Sequence, residues 1–177
     1  MIRGKRPSGA SRWRPLLFLG LLAAVQLACF PGQWMGAEGD ELLYVLLSRS
    51  LARGTYTLGV TPGDALYSQV TPGWPLLLLP AALFSGDAAL GYQLWSFLWL
   101  AACDVLCFLW LRRRVGARAA AALTALFALN PLILSRSGVV MPELPGLAVA
   151  LAVVMLVDRP RPAPGAAVGG LLGLGYL

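Results

Sequence analysis

Two acidic residues side by side, Asp40 and Glu41, follow the first long apolar run of the chain and open a segment of mixed polarity. A third carboxylate, Glu143, stands in Val140-Met141-Pro142-Glu143-Leu144-Pro145, at the head of another apolar run. Carboxylates so placed suit transfer to a hydroxyl, one removing the proton while others hold a metal ion or a cationic partner. Plainer roles are open to each: Asp40 can cap a helix, and Glu143 can sit in a first helical turn, where the dipole favours an acid. Arg49, Arg53 and Arg136 could grip a phosphate or snorkel at an interface. Asp104 lies within an apolar run, where an ionisable group is costly and often functional; packing between helices is the preferred reading for it. The chain has no histidine and three cysteines, so a His-based metal site and a disulfide framework are both excluded. Metal dependence stays open, and a divalent cation is compatible with the acids present.

The elements that must position these groups are apolar. Of 177 residues 58% are hydrophobic and only 12% charged, and mean hydropathy is +0.72. Soluble domains carry about a quarter charged residues, so an all-α, polytopic helical membrane protein is expected. The net charge of +6 does not indicate nucleic acid as a partner, because Lys and Arg gather in short tracts beside apolar runs.

In order, residues 1–14 form a basic cytoplasmic tail and residues 15–34 an uncleaved first span, preferred over a cleaved signal peptide. Residues 35–89 form the first outer loop. Within it, Leu42, Leu43, Leu46, Leu47 and Leu51 recur at helical spacing, predicting an amphipathic surface helix over 40–53. Residues 74–84 would cover about 16 Å as a helix, half of a ~30 Å hydrocarbon core. With Pro72, Pro75 and Pro80 around them they read as half-inserted, a full crossing being the alternative. Further spans are expected over 90–111, 119–138 and 141–157. The run 165–177 reads as the start of a fifth span, since it would reach only about 20 Å, and the chain as the N-terminal part of a longer protein.

Charge sets the sidedness. With the N-terminus cytoplasmic and 74–84 not crossing, only Arg49, Arg53 and Arg136 of fourteen basic residues fall outside. Of eight acidic residues only Asp158 falls inside, and Asp104 lies within a span. Asp40, Glu41 and Glu143 then share the outer side of an inner or plasma membrane.

Three stretches of the first outer loop, Gly39-Asp40-Glu41-Leu42-Leu43-Tyr44, Ser50-Leu51-Ala52-Arg53-Gly54-Thr55-Tyr56 and Thr71-Pro72-Gly73-Trp74-Pro75-Leu76-Leu77, occur in a telling order. Asn130-Pro131-Leu132 and Ser137-Gly138-Val139-Val140-Met141-Pro142-Glu143-Leu144-Pro145 follow them. Together they resemble the polyprenyl-phosphate-sugar-dependent glycosyltransferases of the C superfold, among them protein O-mannosyltransferases and lipid A aminoarabinose transferases. The resemblance runs from about Trp13 onward. It implies a sugar donor on a polyprenyl-phosphate carrier and transfer to a hydroxyl of a lipid, glycan or protein acceptor at the outer face. It implies Asp40 as catalytic base, with Glu41 completing the catalytic pair. Glu143 matches the acid of the second outer loop, a metal- or acceptor-binding position, and Tyr44, Arg49, Arg53, Tyr56 and Arg136 are the remaining candidate substrate-binding residues. Thr71 stands where many relatives carry Lys or an aromatic residue, and Leu42 where many carry Pro. The alternative is a polytopic transporter or lipid-handling protein, in which polar groups would gather near the midplane.

Overall fold

A computed structural model of the chain describes residues 10–30, 39–58, 66–67, 69–86, 88–158, 165 and 167–170. Residues 1–9 of the tail, 31–34 of the expected first span, and 166 and 171–177 of the expected fifth lie outside these. All regular structure among the described residues is helical.

The organising element is α5, Ala89–Val115. Its 27 residues reach about 40 Å, and it alone among the described residues is both long and apolar enough to cross a bilayer. Arg112, Arg113 and Arg114 occupy its last turn, where cations favour the C-terminal dipole. Gly116, at φ 83°, then reverses the chain into α6, Ala117–Ala128; only glycine takes that conformation without strain.

The other helices dress α5. α1, Ala10–Ala28, runs antiparallel to it. Phe18 meets Phe108 with ring centroids 5.7 Å apart, and Phe30 meets Phe97 edge-on at 6.1 Å. α6 packs on both α5 and α1, and α8, Glu143–Val157, lies along α5 in the same direction. Leu144 accepts from Cys103 Sγ near the start of α8, and Asp158 at its end meets Trp110 and Arg114. Around the start of α5 gather α2 (Glu41–Ala52), α3 (Gly73–Leu77) and α4 (Leu79–Ser85).

Three expectations need adjusting. The helix expected over 119–138 is interrupted: α6 ends at Ala128 and α7 begins at Pro131, running to Arg136. The amide that Pro131 lacks would have continued the helix, and Asn130 instead accepts Leu132 N–H to cap the new one. The segment 74–84 is two short helices, α3 and α4, jointed at Leu78 with Pro80 in the first turn of the second. Nor is α2 a simple amphipath, since Glu41, Ser48 and Ser50 are buried while Leu42 is half exposed. Burial of the serines is tolerable because Ser48 Oγ donates to Val45 O and Ser50 Oγ bonds Thr55 and Thr57.

The bundle buries several polar side chains within its apolar core while exposing large apolar ones. On α1 Gln26 is fully buried while Leu16, Leu17 and Leu21 are exposed. Asp104 and Thr124 are buried opposite it, and the Gln26 side chain hydrogen-bonds the Asp104 carboxyl and also donates to Ala128 O.

Candidate functional site

The site begins from one clip. Glu41, 3% exposed, opens α2 and accepts the backbone N–H of Val140 at 2.8 Å. The indole of Trp74 in α3 donates to the carbonyl of the same Val140 at 3.4 Å. Both backbone groups of a fully buried residue are thus held by the side chains of Glu41 and Trp74. Val140 is also part of an apolar cluster with Val45, Trp74, Leu78, Ala81 and Tyr92, so the peptide leading into α8 cannot move independently of α2. Buried backbone groups need partners. An irregular segment finds them here in a carboxylate and an indole.

This clip fixes where the two exposed acids sit. Asp40 precedes Glu41, and Glu143 follows Val140 by three residues. Tyr44, one helical turn after Asp40, feels both: its phenol is held above the ordinary range first by burial, then by the charges of Asp40 and Glu143. Tyr56 continues the rim. Its pKa is raised by burial and then by Tyr44 and Tyr67, and its hydroxyl donates to Val70 O at 2.9 Å. Asp40, Tyr44, Tyr56 and Glu143 therefore form one rim drawn from two loops.

Beside Glu143 opens a cavity of about 300 Å³, lined by Leu132, Ile133, Arg136, Val139, Met141, Leu144 and Leu147. One acid and one guanidinium interrupt an otherwise apolar wall. Leu144 packs on Phe97 and Leu100, so this wall is set back about 8–12 Å along α5 from Tyr92 at 1.5 Å per residue.

The remaining candidates lie apart. Arg49 Nε donates to Tyr92 Oη at 3.2 Å, and its guanidinium sits 5.6 Å from the ring centroid, fastening α2 to α5. Arg53 is exposed at the far end of α2, about 20 Å along the helix from Asp40. Neither reaches the rim. Glu41 does not face it as a free acid either, since its Oε1 is spent on Val140.

Asp40 carries no side-chain cap bond, though it occupies the N-cap position, and it stands exposed. Among the described residues no group of three or more His, Cys, Asp or Glu could enclose a metal. A divalent cation here would have to be held Mg²⁺-fashion, by one or both of Asp40 and Glu143 with water. Sequence reasoning missed the roles of Trp74 and Val140. Trp74 carried a signal, as an indole in an otherwise aliphatic run; Val140 carried none.

No protein-family model, curated protein or solved structure matches the chain.

Proposed function

We propose that this chain is a polytopic membrane protein that forms the outer-face part of a glycosyltransferase. It would move a sugar from a polyprenyl-phosphate donor to a hydroxyl of a lipid, glycan or protein acceptor. The observation that carries the reading is the Glu41–Val140 clip. It brings an exposed carboxylate from each of two loops to one rim, next to an apolar cavity with Arg136 in its wall. An acceptor hydroxyl at Asp40 would lose its proton to that carboxylate, while Arg136 meets phosphate and the apolar wall meets isoprenoid.

The membrane part of the reading is supported by the bundle's outer surface. Large side chains are exposed on α1 (Leu17, Leu21), α5 (Leu94, Leu98), α6 (Leu123, Leu126) and α8 (Val154), while Gln26, Asp104 and Thr124 are buried among the same helices. An apolar surface of that extent suits hydrocarbon, not water. Four arginines, Arg112, Arg113, Arg114 and Arg118, crowd the opposite end from the rim, as a cytoplasmic face requires.

The test is transfer of labelled sugar from a polyprenyl-phosphate donor in membranes carrying the protein. Asp40→Asn should abolish transfer at unchanged protein level; undiminished transfer removes Asp40 as the base. A second reading, transport or lipid handling, is favoured by the buried Asp104–Gln26 pair. On that reading Asp104→Asn would abolish function and Asp40→Asn would spare it.

A further inference from the structure

At the end of the bundle remote from the rim lies a second cavity, of about 340 Å³. Three helices each contribute an arginine to its wall: Arg14 from α1, Arg112 from α5 and Arg118 from α6. Phe18 and Phe108, in tilted ring contact with centroids 5.7 Å apart, form its apolar lining. All three arginines are exposed, and none bonds a carboxylate among the described residues; the one acid at this end, Asp158, is taken by Arg114. Three arginines lining one cavity, with no carboxylate bonded to them among the described residues, make it a favourable place for an anion. The first turn of α6 forms part of the same wall, and its dipole has the same sign.

The surroundings select the anion. Within a turn of Arg14 the outer face of α1 becomes apolar, with Leu16 and Leu17 exposed. A ligand that filled this site would have its charge among the arginines and an apolar body along the phenylalanines and the leucines of α1. Nucleic acid and free phosphate lack the second part. We propose that this cavity is a binding site for an anionic phospholipid of the cytoplasmic leaflet, its phosphate held by Arg14, Arg112 and Arg118 and one acyl chain laid against Phe18. Basic pockets between helices at that face are suited to acidic headgroups. The site clamps α1 to the α5–α6 hairpin, so lipid occupancy braces the end of the bundle that the rim does not. The proposal rests on the membrane reading but not on sugar transfer.

Alkaline-carbonate extraction comes first: a chain released from membranes overturns the membrane reading and this site together. With a retained chain, the detergent-purified protein is titrated with phosphatidylglycerol and with phosphatidylcholine of the same acyl chains, read by native mass spectrometry. Phosphatidylglycerol should bind at least about tenfold more tightly, and Arg14→Gln/Arg112→Gln/Arg118→Gln should erase the preference. Arg113→Gln, outside the cavity, should keep it. Should the triple variant lose its helical circular dichroism, Arg118→Gln alone, at an exposed position, should weaken phosphatidylglycerol about fivefold. Equal affinity for the two lipids, a preference that survives the triple variant, or an equal loss in Arg113→Gln overturns the site. Displacement of the lipid by millimolar inorganic phosphate overturns the lipid as its ligand.

Discussion

Replacing Glu41 with alanine should destabilise the fold by about 2–3 kcal/mol, and replacing it with glutamine by much less. The magnitude follows from the clip. Alanine removes the acceptor of a buried N–H, leaving Val140 unpaired at 0% exposure. An unpaired buried donor costs about 1–3 kcal/mol, and a bond to a charged acceptor contributes at the upper end of the usual range. Glutamine keeps an oxygen where Oε1 stands, so the geometry survives and only the charge assistance is lost. Trp74 donates to the same peptide, so its fluorescence should report the change. The assay is thermal unfolding of the detergent-solubilised protein followed by tryptophan emission, with sugar transfer measured in parallel. The expected pattern is a large drop in melting temperature for Glu41→Ala and a small one for Glu41→Gln, which, on the proposed function, also retains much of the transfer activity. Equal melting temperatures for the two variants would refute the clip. A stable Glu41→Gln protein devoid of transfer would move Glu41 from holding the site to acting in it.

Two more perturbations test neighbouring parts. A Cβ at Gly91 would overlap the Cβ and Oγ of Ser85 where α4 turns into α5, so Gly91→Ala should cost about 1–3 kcal/mol of overpacking, seen as a lower melting temperature and faster trypsin cleavage. The phenol of Tyr44 should ionise above the ordinary value of 10.0, read as the tyrosinate absorbance that Tyr44→Phe removes. Because the unfolded chain releases this proton first, its contribution to stability falls as pH rises from 10.0 through the folded pKa. Asp40→Asn should bring the titration part of the way back, and an unchanged curve would separate Asp40 from the rim.

Much of the frame was legible because it depends on local chemistry. Arg112-Arg113-Arg114 followed by Gly116 marks the end of α5, and the leucine spacing after Asp40 marks α2. Asn130-Pro131 falls near the outer end of the expected span 119–138, and there α6 stops at Ala128 and α7 begins at Pro131. The site was less legible for a physical reason. Its two loops meet through a backbone amide, and an amide at Val140 looks the same in sequence as any other. Arg49 illustrates the same limit: helical spacing gives it an outward face, yet Tyr92, forty-three residues on, offers both a ring and a hydroxyl. Gln26 carries its signal in isolation: a single amide in the apolar run of α1, buried while Leu16, Leu17 and Leu21 are exposed, marks the inward face.

Gln26 also bears on how the protein is made. Its partner carbonyl, Ala128, lies 102 residues downstream, which at about 5–20 residues per second is roughly 5–20 s of synthesis. During that interval α1 is in place while α6 has not left the ribosome, and the amide has no carbonyl to meet. On the proposed membrane reading, an uncapped amide within hydrocarbon is unfavourable by several kcal/mol, so α1 would wait at a wet or protein-lined station until the hairpin of α5 and α6 arrives. Release of the first helix into lipid would thereby be tied to the arrival of α6, whose Ala128 carbonyl receives the amide, and a Gln26→Leu chain would slip into lipid early, without that timing.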